Sequence, residues 1–111
     1  MNINEQAQGD VVLLTIGGRL DGNSSSTLEA RFLQLVEAGK SRFVFDLGEL
    51  EYVSSAGLRS LLVAAKKTKT IQGKLALTRM TDNVKEVFDM SGFSAIFSIY
   101  PTADEALDAV R

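Results

Sequence analysis

The chain has 111 residues, 45% of them hydrophobic, with 12 Lys and Arg against 14 Asp and Glu, a formal net charge of −2, and neither histidine nor cysteine. That length suits one domain with one core over residues 1–111, and the mixed, near-neutral charge argues against direct nucleic-acid binding, which asks for a basic surplus on one face. Without thiols or imidazoles there is no disulfide framework, no usual zinc ligand set and no general base for a Ser-His-Asp triad.

In chain order, Met1 to Gln6 has neither the basic start nor the apolar stretch of a secretory signal, and no segment approaches bilayer-spanning length. Cytoplasm is therefore the expected compartment, with no membrane contact. Residues 2–7 are expected as a weak edge strand, joined through the Gly9-Asp10 turn to a strong strand at Val11-Val12-Leu13-Leu14-Thr15-Ile16, the two forming a hairpin. A first helix is predicted from about Ser24 to Ala38, burying Leu28, Phe32, Leu35 and Val36 and ending at Gly39. Phe43-Val44-Phe45-Asp46-Leu47 has the composition of a strand buried on both faces, and residues 42–47 become the central strand. The pattern then repeats, with helices over 55–69, 82–90 and 102–110 and strands over 74–78 and 95–99. Strands joined by helical crossovers run parallel. The expectation is an α/β fold: a mixed, mostly parallel sheet with an N-terminal antiparallel hairpin and about four helices. In such sheets a binding site lies outside the carboxyl ends of the strands.

The most informative stretch is Leu50-Glu-Tyr-Val-Ser-Ser-Ala-Gly-Leu-Arg-Ser-Leu-Leu62, where an extended run gives way to a helical one. Leu58, Leu61, Leu62 and Ala65 recur on one helix face, and Lys66, Lys67 and Lys69 load the last turn. Ser54 and Ser55 therefore lie at a helix N-terminus, where unpartnered N–H groups and the peptide dipoles leave partial positive charge. A serine there is commonly only a cap, and the same position also welcomes an anion. No capping box assists, since Gly57 and Leu58 stand where Glu or Gln would be needed. Glycine in a first turn costs roughly 0.5 to 1 kcal/mol relative to alanine. Gly57 thus marks a close approach to its backbone, either by the protein itself or by a partner.

Tyr-Val-Ser-Ser-Ala-Gly-Leu-Arg over residues 52–59 resembles the signature of the anti-sigma factor antagonists, bacterial proteins with a STAS domain, whose common form is Asp-Ser-Ser-Gly-Leu. Gly18-Arg19-Leu20-Asp21 resembles the family's turn before its first helix, Phe45-Asp46-Leu47 its central strand, and Phe88-Asp89-Met90-Ser91-Gly92-Phe93 its late helix and turn. The resemblance implies a single STAS domain and a phosphorylation site on Ser55, with Ser54 as the alternative. It also implies a partner surface of Asp21, Ser54, Ser55, Ala56, Gly57 and Arg59. Ser54 stands where the family often has Asp, and Ala56 where it often has a second serine. The implied partners are an anti-sigma factor with serine kinase activity and a PP2C-type phosphatase. The unmodified protein would bind the kinase and free its target, and phosphate on Ser55 would release it.

Other chemistries find little support. Val53-Ser54-Ser55-Ala56-Gly57 lacks the first glycine of a nucleophile elbow, and Gly17-Gly18 is too short for a phosphate-cradling loop. Asp46, Glu49 and Glu51 read as a polar loop at a strand end rather than as an acid-base or magnesium site. No enzyme activity, cofactor or metal is expected. The alternative of another class keeps the fold without the switch: a constitutive STAS-type scaffold subunit of a transporter or signalling complex, with Ser55 only a cap.

Overall fold

Strand β2, Val11–Leu20, serves two neighbours in succession and so organises the sheet. β1, Asn2–Gln8, folds back on it antiparallel, from Gln8↔Val11 to Asn2↔Gly17. β3, Arg42–Asp46, lies parallel on its other side, with Val12↔Phe43 and Leu14↔Phe45 in register. β5, Lys74–Thr78, and β6, Ser98–Tyr100, continue in parallel to give the order β1-β2-β3-β5-β6. The computed structural model describes all residues, 1–111. The mixed, mostly parallel sheet with its antiparallel hairpin is the architecture expected from the alternation of patterns.

Past Ile16, β2 leaves β3. Gly18 adopts φ +84°, a left-handed conformation that a side chain would disfavour, and the register shifts between Gly18 and Arg19. The last residues of β2 then pair with β4, Leu50–Val53, through Arg19↔Tyr52 and Leu20↔Val53.

Period-2 alternation distributes the strand side chains between two cores. Val12, Leu14, Ile16, Phe43, Phe45 and Leu77 face one side, where they meet Leu28, Phe32 and Leu35 of α1, Ser25–Glu37. Leu58, Leu61 and Ala64 of α2, Ser55–Thr70, join them, as do Val84 and Phe88 of α3, Asp82–Ser91. The Phe32 ring lies 4.8 Å from that of Phe43 and 6.0 Å from that of Phe45. Each such ring contributes about 1.5 to 3 kcal/mol by burial. The opposite face carries Val11, Val44 and Ala76, covered by Ala106, Leu107 and Val110 of α4, Ala103–Val110. Val36, expected on the buried face of α1, is only partly buried. No helix is long and apolar enough to cross a membrane.

Two elements differ from the sequence expectation. Leu50–Val53 is a strand of its own, so α2 follows β4 rather than the central strand. Four residues between a turn and a helix are too few to show a period. The strand expected over 95–99 begins at Ser98, because Gly92 takes a left-handed φ of 79° and Phe93–Ala95 close a 3-10 turn.

Candidate functional site

Two loops meet at the carboxyl ends of β2 and β4, tied by one backbone carbonyl. Leu20 O accepts from Ser54 N–H at 2.9 Å. It also lies against the Cα of Gly57, so a Cβ there would stand 2.4 Å from this oxygen, 2.9 Å from Leu20 Cγ and 3.0 Å from Val53 Cγ2. Of the two approaches that Gly57 could signal, the protein's own backbone makes this one, and Gly57 is buried. Gly57, predicted as part of the partner surface, thus sets the approach of the two segments to each other.

The two serines have different environments. Ser54 is the N-cap, with extended backbone (φ −93°, ψ 176°), and its hydroxyl oxygen accepts from Gly57 N–H at 3.1 Å. It is half-buried and engaged. Ser55 is the first residue of α2, exposed, with a hydroxyl that takes no part in the cap. Ala56 is half-buried beside it, and Arg59 is exposed one turn on.

Across the Leu20 junction, the Asp21 carboxylate closes the start of α1. Its Oδ1 accepts from Asn23 N–H at 3.0 Å and from Ser24 N–H at 3.3 Å, while Ser24 Oγ donates to Arg19 O at 2.8 Å. The backbone hydrogen bond from Asn23, with further help from Ser24 and the Arg19 charge, holds the Asp21 carboxyl below the usual carboxylate value. Asp21, in the loop after β2, and Ser54, Ser55, Ala56 and Arg59, at the cap and first turns of α2 after β4, thus share one end of the sheet.

Sequence reasoning overlooked a further pair. Arg19 and Tyr52 face each other across β2 and β4, and the guanidinium lies 4.2 Å from the centroid of the Tyr52 ring. Tyr52 is 42% exposed, a large ring held open to solvent two residues before the Ser54 cap. Tyr52 stands in the 52–59 signature, but its pairing with Arg19 becomes legible only once β4 is known.

Asp46, read as part of a polar loop, is the buried last residue of β3. It accepts from Gly48 N–H at 2.9 Å and lies 3.5 Å from Arg79 Nε. No group of three acidic or other metal-binding side chains comes together anywhere in the chain.

The family model described as STAS domain matches residues 2–106. Over 101 residues the chain is 37% identical to BtrV of Bordetella bronchiseptica, whose name describes it as an anti-sigma factor antagonist, with 91% of this chain and 87% of that protein covered. Among solved structures, a Thermotoga maritima protein described as an anti-sigma factor antagonist matches with a TM-score of 0.92 at 23% identity, covering 98% of this chain and 94% of its own. The Bacillus protein SpoIIAA in its phosphorylated form matches with a TM-score of 0.76 at 20% identity, over 99% of this chain and 100% of its own. Its unphosphorylated form gives 0.77 at 18% identity, over 99% and 98%. At these identities the structural likeness speaks for the fold.

Proposed function

The chain belongs to the STAS domain family, and we propose that it is a phosphorylatable anti-sigma factor antagonist of a bacterial partner-switching pathway, acting in the cytoplasm as a binding protein and not as an enzyme. Residues 1–111 act as one STAS domain. In the unmodified state the rim of Asp21, Ser54, Ser55, Ala56, Gly57 and Arg59 docks on an anti-sigma factor with serine kinase activity, which then frees its own target. The kinase transfers the γ-phosphoryl group of its bound ATP to Ser55 Oγ, releasing ADP and the hydroxyl proton. A PP2C-type phosphatase hydrolyses the phosphoserine and resets the cycle. The chain itself supplies the acceptor and needs no cofactor, metal, nucleic acid or membrane.

The observation that carries this reading is the division of labour between the two hydroxyls. Ser54 Oγ is committed to Gly57 N–H at 3.1 Å, and phosphate there would cost the cap, whereas Ser55 is exposed and uncommitted. Phosphate on Ser55 adds roughly −1.5 to −2 charge beside the positive end of the α2 dipole, a place that favours it. The fold therefore survives, in keeping with the similar match to both forms of SpoIIAA. The switch then acts at the contact surface, where weakening a partner by about 10² to 10³-fold needs only roughly 3 to 4 kcal/mol. A hydrated dianion driven into an interface readily supplies that.

The test uses the kinase captured from the native cytoplasm on immobilised protein in the absence of ATP. Mass spectrometry after adding ATP and magnesium should place the phosphate on Ser55, Ser55→Ala should remain unmodified, and Ser55→Asp should lose the captured partner. Full phosphorylation of Ser55→Ala, or a Ser55→Asp form that holds the partner as tightly as the wild type, would overturn the switch and leave a constitutive scaffold.

A further inference from the structure

A cleft of about 570 Å³ opens at the other end of α2, at the amino ends of the strands rather than at the rim carrying Ser55. A 16-residue helix spans about 24 Å, which separates the two places. The cleft exists because β6 is short. Its pairing with β5 starts only at Ala76↔Ser98, and the 3-10 turn before it holds Ile96 and Phe97 back from the strand path. The edge of β5 is thereby uncovered, between the last turns of α2 on one sheet face and the end of α4 on the other.

The chemistry of the walls is specific. Nine of the 15 lining residues are hydrophobic, chiefly aliphatic, and the charged ones are Lys66, Lys69 and Lys74, with no acidic residue among them. All three lysines are exposed, so their ammonium groups reach water at the mouth while the interior stays apolar. A backbone donor completes the set. Lys74 N–H donates to Ser41 O on the β3 side at 2.8 Å, so the alternation of a parallel ladder turns Leu75 N–H to the opposite side, ahead of the first β5–β6 pair. It points where the cleft lies. Volume, aliphatic lining and a few convergent donors are the attributes of a small-molecule site.

We infer that this cleft binds an amphipathic anion of the fatty-acid class, with its chain between α2 and the 96–98 segment and its carboxylate among Lys66, Lys69 and Lys74. The three cations select a negative head, and the depth of apolar wall selects a chain over a bare anion. The site is separate from the proposed Ser55 switch, since none of its lining residues belongs to the first two turns of α2 or to the loop after β2.

The test is a heteronuclear NMR titration of the full chain with sodium decanoate, alongside butyrate as a head without a chain. Decanoate should shift the amides of Ala65, Leu75, Ile96 and Ala109 saturably, with a dissociation constant below about 1 mM, and butyrate should leave them unmoved. Combined Lys66→Gln, Lys69→Gln and Lys74→Gln substitution should weaken decanoate about tenfold, as expected for three exposed charges acting together. Ile96→Glu, at a 54% exposed position that tolerates a charge, should weaken it as well. Ser55→Asp should bind decanoate normally, which separates this site from the switch. Non-saturating or scattered shifts, equal shifts with butyrate, or undiminished binding by the triple variant would overturn the inference.

Discussion

Gly57→Ala measures directly how the rim is built, because two opposing effects of known size meet at one atom. Alanine is the better helix former, so the substitution gains about 0.5 to 1 kcal/mol in α2 and in the restricted unfolded chain. The added Cβ, however, would sit 2.4 Å from Leu20 O, a distance that real Cβ atoms do not show, with Leu20 Cγ and Val53 Cγ2 also within 3.0 Å. None of these neighbours is the free end of a flexible side chain. Leu20 and Val53 are buried and paired in register, and the carbonyl already accepts from Ser54 N–H at 2.9 Å. Relief therefore requires β4 and α2 to separate from β2, and overpacking of this kind costs about 1 to 3 kcal/mol.

A Cβ this close to a backbone oxygen falls in the upper half of that range, so overpacking wins with a net loss of about 1 to 2.5 kcal/mol, which in a chain of this size lowers Tm by roughly 4 to 11 °C. Thermal and urea unfolding followed by far-UV circular dichroism gives the number. Amide exchange at Ser54 should accelerate in parallel, since its partner carbonyl is the atom displaced. Gly22→Ala is the control, because a Cβ there meets nothing within 4 Å, and its stability should stay within about 0.5 kcal/mol of wild type. A Gly57→Ala protein as stable as wild type, with Ser54 still protected, would refute the argument that Leu20 O fixes the approach of the two loops.

The two serines should part company in stability as well as in function. Ser54→Ala loses the cap on Gly57 N–H and should cost about 1 kcal/mol, whereas Ser55→Ala, exposed and outside the cap, should fall within about 0.5 kcal/mol of wild type; equal losses in urea unfolding would count against the assignment of the cap to Ser54. Asp21 gives a pH dependence of defined sign. Its carboxyl is held below the ordinary value of 3.8 by the Asn23 and Ser24 hydrogen bonds, so its stabilising contribution is complete above that value and fades as pH falls through the depressed one. The stability gap between wild type and Asp21→Ala should accordingly be constant near neutrality and narrow below about pH 4, and a gap that widens on acidification would show that the carboxylate is not the stabilised form.

How far residues alone reached depends on the length scale of each signal. Val11 to Ile16, Phe43 to Leu47 and the leucine face of α2 are long or apolar enough to declare their period, and all three elements lie where that period put them. The hydroxyl pair was placed at a helix start by the change of period around it, and Ser54 is the cap. β4 escaped because its four residues are buried at the ends and exposed in the middle, which shows no period of 2, and with it went the pairing of Tyr52 with Arg19. Gly57 illustrates a different limit. Its cost in a first turn was visible, but only the fold shows that the space belongs to Leu20 O, a residue 37 positions away whose approach no local pattern encodes.

That carbonyl has a further consequence for recognition. Asp21 follows Leu20 directly, and Ser55 follows Ser54 directly, so one N–H···O bond and one missing side chain hold both residues in a fixed relation before any partner arrives. The Asp21 loop is further closed by its bonds to Asn23 and Ser24, and Tyr52 is braced by Arg19. In the proposed docking a partner would meet backbone already held in place, so little of its binding energy would go into ordering loops, and most of the contact free energy would remain as affinity. Such a rim also makes a surface charge effective. Under the proposed switch, where the backbone cannot move aside, a phosphate at Ser55 would have to be accommodated by the partner or expelled from the interface, and rigidity of the receiving side would turn a local modification into a large change in affinity.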